Sequence, residues 1–375
     1  MADAPVADAP PPDVPVSAKR RRRSPGPLIG WIVAALLLGG IIGALIVWAT
    51  RSSPAPVTDA ACVSTDVASK VLPSVVTVIA THAGGSGNGS GEIIRPDGYI
   101  LTNNHVISPA VGAGGKVSVL LNDGSEHPAT IVGRDPQTDL AVLKASGVNE
   151  PKVIAIASSS NVRVGQPVVA LGAPLGLSST VTDGIVSALG RAVHVPAENN
   201  QRALLVDAIQ TDAAINPGNS GGALVDCSGN LVGVPTAGAA IPNPNGGASA
   251  GGNIGIGFAI PSDLAVLVSN EIIETGSVSH AYFGLQAVPV SPAQATQTGA
   301  TVGLLVRQVT PGGPASAAGL HAGDVITKIN GSTASSADQL MALTLTKRAG
   351  DKVTLAYKRQ GQDGEAVVVL GARPS

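Results

Sequence analysis

From residue 75 onward the apolar positions fall in short runs separated by turn residues: Val75 to Ala80, Gly91 to Ile94, Tyr99 to Thr102, Val117 to Leu121, Leu140 to Ala145 and Val168 to Leu171. Runs of this length, rich in β-branched side chains, predict strands of a barrel or sandwich. A second set follows at Gly184 to Ala188, Leu204 to Gln210, Gly222 to Val225, Leu231 to Val234 and Gly257 to Ile260. Together they predict two successive barrel-sized groups. Leu264, Leu267, Val268 and Ile272 then recur at helical spacing between Pro261-Ser262 and Gly276, which predicts a capped amphipathic helix closing a first domain over 67–276. Residues 280–373 return to short strands with one helix, whose capping box is expected at Ser335 and Asp338.

Ahead of the strands the pattern changes. Residues 1–27 carry Pro, Ala and Asp without apolar periodicity and are expected to be disordered. Leu28 to Ala49 is one uninterrupted apolar run; as a helix it is ~33 Å long, enough to cross a bilayer. Trp31 and Trp48 sit near its ends, where an aromatic belt places them. Lys19 and the four arginines through Arg23 precede the run, against Arg51 alone after it, so the positive-inside rule puts the amino terminus in the cytoplasm. Everything beyond the linker at 50–66 is then exported. A cleaved signal peptide is the competing reading, but no small-residue cleavage pattern directly follows the run. Lipidation at Cys62 is disfavoured by Asp59 and the polar spacer.

A formal net charge of −2 argues against a broad nucleic-acid surface, because the one dense basic cluster belongs to the membrane flank. Aromatic residues make up 2% of the chain while 47 are Gly and 28 Pro, so cores must be built from Val, Leu, Ile and Ala between many turns. Cys62 and Cys227 match no zinc or CxxC spacing, which excludes a thiolate metal site. In an oxidising compartment one disulfide is the favoured reading, with two buried free thiols as the alternative.

Candidate chemistry begins at GNSGG, residues 218–222, where glycines permit a tight turn that exposes the Ser220 hydroxyl and frees backbone N–H groups. The pattern alone also fits the G-x-S-x-G elbow of α/β-hydrolases. A serine needs a base, and His105 in TNNHV follows the strand-like YIL, where a turn projects it into a cleft. His82, His127 and His194 have loop-like surroundings. The third role, a buried carboxylate that orients the imidazole, falls to Asp139 at the head of DLAVLK. Asp135, before Pro136, reads as a turn residue. The order His105, Asp139, Ser220 is the chymotrypsin order; an α/β-hydrolase needs its histidine after the serine, and only His280 and His321 lie there. GAGGKV at 112–117 and the Gly-rich stretch 84–91 complete neither phosphate-loop nor dinucleotide motifs, so no nucleotide, metal or other cofactor is expected.

With these residues in place the chain resembles the HtrA/DegP-type serine proteases, from about Val67 to Gly371. TNNHVI, DLAVLK, GAPLGL, GIVSA, TDAAINPGNSGGAL and GFAIP occur in that family's order. The resemblance implies a mainly β protein: a chymotrypsin-like double β-barrel, then one PDZ domain, behind the N-terminal transmembrane helix. It makes His105 the general base, Asp139 its orienting carboxylate and Ser220 the nucleophile. The oxyanion hole would lie at Gly218, Asn219 and Ser220, with the amides of Gly218 and Ser220 as donors. Ile215, Asn216, Thr236 and Ala237 would shape a pocket for small aliphatic side chains. Pro235 departs from the family's usual Asn and removes an N–H from that edge. The Gly/Pro-rich loop Ala237 to Asn253 is read equally as a regulatory loop or a plain surface one.

YFGL at 282–285 and AGLHAGDVITKING at 318–331 resemble the two signatures of a PDZ domain. Tyr282, Phe283, Gly284 and Leu285 would then bind the carboxylate of an extended peptide C-terminus, with Leu285 the readier of the two apolar residues to be plain core. The family further implies unfolded or misfolded polypeptides as substrates, stress-linked quality control in the cell envelope, a homotrimer, and a relay loop around Arg191 to Arg202. The reading from another class is a chaperone or peptide-binding scaffold with little proteolysis.

Overall fold

The structure, a computed structural model, describes residues 62–83, 85–173, 179–196, 202–238, 254–291 and 302–373. The predicted tail, the apolar run Leu28 to Ala49 and most of the linker lie outside these residues. So do 239–253 and the centre of the 191–202 loop. Among the described residues no helix is long and apolar enough to cross a membrane.

A short helix α1 (Ser64–Val71) leads into six strands, β1 (Val75–His82), β2 (Gly85–Ile93), β3 (Tyr99–Thr102), β4 (Lys116–Leu120), β5 (Glu126–Asp135) and β6 (Leu140–Ala145). They close into a barrel in the order β1-β2-β3-β6-β5-β4. Alternation sends Val76, Val78, Ile93, Ile100, Val119 and Leu143 into one core. Strand β5 escaped the sequence reading because its side chains are mostly half-exposed and Pro128 interrupts them. The single-turn helix α2 (Asn104–Ile107) follows β3 directly.

The second group comprises β7 (Ala155–Ile156), β8 (Pro167–Gly172), β9 (Thr180–Pro196), β10 (Arg202–Thr211), β11 (Ala223–Val225), β12 (Asn230–Gly238) and β13 (Gly257–Pro261). Their order is β11-β8-β9-β10-β13-β12-β7, and a further β11–β12 pairing closes six of them on themselves. The helix α3 (Ser262–Thr275) ends on Gly276, whose φ of 80° only glycine adopts without strain. Its Leu264, Val268 and Ile272 join Leu101 and Leu140 of the first barrel and Val206 and Ile260 of the second in one core. A disulfide joins Cys62, ahead of α1, to Cys227 in the β11–β12 turn, with Cα atoms 5.0 Å apart.

The C-terminal part pairs β14 (Ala281–Tyr282) with the last strand, β21 (Gly371–Ala372). Beside them lie β15 (Leu285–Pro289), β16 (Leu304–Val309), β17 (Val325–Ile329), β19 (Lys352–Arg359) and β20 (Gln362–Val369) in one sheet, with β18 (Ser332–Thr333) on β17. Helices α4 (Pro314–Ala317) and α5 (Ala337–Thr346) complete it, where one helix was expected. The capping box of α5 stands one residue later than predicted, on Ser336 and Gln339. The physical reason is reach: the Gln339 amide extends back to the Ser336 N–H at 3.2 Å, which the shorter Asp338 cannot do. Leu345 of α5 packs into the core beside Val195 and Leu204 of the β9–β10 hairpin, and His194, expected to be merely solvated, pairs with Asp338 at 3.2 Å.

Candidate active site

The strand β3 delivers the chain to the cleft, and α2 turns His105 out of it. The imidazole is 39% exposed while Asp139 is 5% exposed, so a substrate can reach the base but not its carboxylate. His105 Nδ1 lies 2.8 Å from Asp139 Oδ2, and the His105 backbone N–H donates to Oδ1 at 3.0 Å. A carboxylate only accepts, so Nδ1 carries the proton and Nε2 the lone pair. That is the tautomer a general base requires.

Asp139 has φ +56°, a left-handed backbone that costs a non-glycine residue free energy unless its surroundings hold it. Asn103 Nδ2 and the Asn104 N–H both grip its carbonyl, at 2.8 and 3.1 Å. The Thr236 hydroxyl donates to Asp139 Oδ2. Thr236 owes that aim to a β-bulge: Pro235 faces Ala259 and Ala237 faces Phe258, leaving Thr236 as the extra residue of β12. Pro235, which has no N–H to offer a ladder, is tolerated at such a bulge.

Ser220 meets the same residue from the other side. Its Oγ donates to the Thr236 carbonyl at 3.2 Å, and no hydrogen bond joins it to His105 among the described residues. Thr236 therefore contacts Ser220 through its backbone and the Asp139 carboxylate through its side chain. In this arrangement the serine hydroxyl is parked on a carbonyl and not on the imidazole.

The turn around Ser220 is fixed by bonds on its far side. Asn219 N–H closes onto the Asn216 carbonyl at 3.0 Å, a turn with Pro217 and Gly218 at its centre and φ 102° at the glycine. Ser90 Oγ donates to the Gly218 carbonyl at 2.6 Å, and the Ser90 N–H donates to the Ser220 carbonyl at 2.9 Å. The Asn219 carbonyl accepts from Gly222 N–H at 3.0 Å. Since C=O and N–H point oppositely in a trans peptide, this aims the Ser220 N–H the other way. Among the described residues neither the Gly218 nor the Ser220 amide has an acceptor, whereas the Asn219 amide is committed to the turn. Gly221, at φ 78°, packs so closely on Ser90 O and Thr102 Oγ1 that any side chain would collide.

Of the remaining expected site residues, Ile215 is buried in the second barrel's core with Val168 and Leu224. Asn216 supplies the turn carbonyl. Ala237 is placed by its backbone pairing with Phe258, just before the residues outside the description. In the C-terminal part, Tyr282 Oη bonds Thr310 Oγ1 at 2.8 Å, and Gly284, at φ 72°, accepts from Thr310 N–H at 2.8 Å. Phe283 is the core residue at 4% exposure, whereas Leu285 is half-buried, the reverse of the ranking the sequence suggested. Ser90 and the bulge at Thr236 escaped the sequence reading; the GSG flanking Ser90 was the available signal. Among the described residues no cluster of His, Cys, Asp or Glu is arranged to hold a metal ion.

Residues 89–234 match the trypsin-like peptidase domain family, and residues 254–370 match the PDZ domain family. The chain is 43% identical over 311 residues to the serine protease PepD of Mycobacterium tuberculosis, covering 81% of this chain and 65% of that protein. It is 43% identical over 277 residues to the periplasmic serine endoprotease DegP of Escherichia coli K12, covering 73% and 55%. The chain thus spans between about half and two thirds of the length of these curated relatives. Among solved structures, the HtrA-type protease AlgW with a decapeptide superposes with a TM-score of 0.65 at 36% identity, covering 83% of this chain and 99% of that one.

Proposed function

The chain belongs to the HtrA-type serine proteases, and on that premise we propose that it is an endopeptidase that hydrolyses peptide bonds of unfolded or damaged exported proteins. The observation that carries the reading is the Asp139 carboxylate, which holds His105 in the base tautomer while Thr236 links it to Ser220. In the reaction, Ser220 Oγ rotates from the Thr236 carbonyl to His105 Nε2, gives up its proton there and attacks the scissile carbonyl. The negative charge that develops on the carbonyl oxygen meets the two amides of Gly218 and Ser220. Asp139 stabilises the imidazolium, which then protonates the leaving amine; water, activated by the same base, releases the acyl group from Ser220.

The parked serine favours a resting state that substrate or a bound peptide converts to the active one. The C-terminal domain is taken to capture extended peptide C-termini at Tyr282 to Leu285. The apolar run Leu28 to Ala49, with its one-sided basic flank, supports a single-pass anchor with both domains outside the cytoplasm. The periplasmic relatives agree with that side of the membrane. A homotrimer is the assembly the family suggests.

Incubating the soluble part with denatured casein tests the reading. Wild type is expected to cleave it, and Ser220→Ala to lose on the order of a millionfold in kcat; undiminished cleavage by that variant overturns the assignment.

A further inference from the structure

The catalytic aspartate stands at the end of a short loop, Asp135 to Asp139, and the first residue of that loop is also a buried acid. Asp135 is 4% exposed. Its Oδ1 accepts from the Gln137 N–H at 3.2 Å, and its Oδ2 accepts from the Thr138 hydroxyl at 2.5 Å. Thr138 is itself 2% exposed and directly precedes Asp139. The Asp135 carboxylate thus ties down the two residues that lead into the left-handed φ of Asp139.

What holds Asp135 comes from outside the barrels. His280 Nε2 lies 2.9 Å from Asp135 Oδ1, with both side chains 4% exposed. The other ring nitrogen, Nδ1, is buried without a partner among the described residues, so the carboxylate is the imidazole's sole hydrogen-bond acceptor there. A ring buried at that cost is held for the bond it makes. His280 immediately precedes β14, the strand that runs into Tyr282 and Phe283. Its carbonyl accepts from the Arg373 N–H at 3.0 Å, and Arg373 Nη1 donates to Gln137 Oε1 at 3.3 Å. The β14–β21 pair of the PDZ domain therefore reaches the loop twice, through His280 and through Arg373.

We infer that His280 is a positioning residue for peptide hydrolysis: through Asp135 it fixes the loop that presents Asp139 to His105. The second domain then completes the active site from behind, and a shift of β14 reaches the triad by this bond. The inference rests on the reading of Asp139 as the triad carboxylate. It differs from a relay through the β9–β10 hairpin, whose described residues Val195 and Leu204 pack beside Leu345 of α5.

The test uses the complete chain with a chromogenic peptide substrate, comparing wild type, His280→Ala, His280→Gln, Asp135→Asn and Asp324→Asn. His280→Ala is expected to lower kcat about tenfold or more with KM nearly unchanged, because a displaced catalytic group costs rate and not binding. Gln places a donor where Nε2 stood and is expected to restore most of kcat. Asp135→Asn is expected to resemble His280→Ala. Asp324→Asn weakens the ion pair of the buried Asp324 with the part-exposed Arg359 inside the second domain, away from the loop, and is expected to keep wild-type kcat. The proton of His105 Nδ1, observed by NMR, gives a readout independent of turnover: its resonance is expected to shift or broaden in His280→Ala and to return in His280→Gln.

Wild-type kcat and an unmoved resonance in His280→Ala overturn the inference. So does an equal loss in His280→Ala, His280→Gln and Asp324→Asn, which marks a general loss of folding. If wild type itself cleaves no better than Ser220→Ala, the protease reading fails instead.

Discussion

Two carboxylates lie buried on the face that the first barrel turns to the second, and the protein treats them in opposite ways. Asp139 is 5% exposed and receives His105 Nδ1, the His105 N–H and the Thr236 hydroxyl. Glu92 is 0% exposed, and neither of its oxygens has a hydrogen-bond partner among the described residues. The strand register places Glu92 directly between Val75 and Leu101, both core residues. Burial holds its carboxyl well above the usual carboxylate range, against a smaller opposing pull from its own backbone amide. The difference teaches where this fold spends its donors. Asp139 is surrounded by them, whereas burial without partners favours the neutral form of Glu92.

The largest effect expected from breaking this comparison is at Asp139. Asp139→Asn keeps the shape but lets His105 adopt the wrong tautomer, and kcat is expected to fall by about 10⁴ in steady-state assays. Thr236→Val removes one donor while leaving the backbone carbonyl, and a loss of about ten- to a hundredfold in kcat is expected, since a hydrogen bond to a charged group contributes roughly 1.5–3 kcal/mol. Retained activity in either variant would mean that the carboxylate's partners do not matter.

Glu92→Leu should act on stability alone. Its neighbours are apolar, so replacing the unsatisfied acid is expected to stabilise the fold at neutral pH by about 1–3 kcal/mol, measured by denaturant unfolding, with kcat unchanged. The sign with pH follows from linkage. Below the range where an unfolded glutamate titrates, both states hold the proton and Glu92 carries no penalty from ionisation. As pH rises through that range the unfolded chain releases its proton while the folded one keeps it, so wild-type stability falls. The gap between Glu92→Leu and wild type should therefore widen as pH rises through and above the ordinary glutamate range, about 4.3. A constant gap would mean that Glu92 has found a partner.

Much of this was legible in the sequence. Strands β3 and β6 stand where the apolar runs put them, and chain order alone brought His105, Asp139 and Ser220 forward as one set. Contacts made by residues with ordinary local signatures were not legible. Thr236 looks like a pocket residue until the bulge at Pro235 turns its hydroxyl onto Asp139. Asp135 looks like a turn residue and stands at the end of β5 where the turn begins, but nothing near it in sequence announces His280, 145 positions away. Glu92 lies in the strand-like run Gly91 to Ile94, and its burial follows from Val75 and Leu101 on either side, which pack against the second barrel.

The account depends on His105 activating Ser220. Labelling with a fluorophosphonate, followed by mass spectrometry of the modified peptide, tests this most directly. The adduct is expected on Ser220 in wild type, at a rate at least several hundredfold higher than in His105→Ala. Equal labelling rates in the two proteins, or an adduct on another residue, would contradict it.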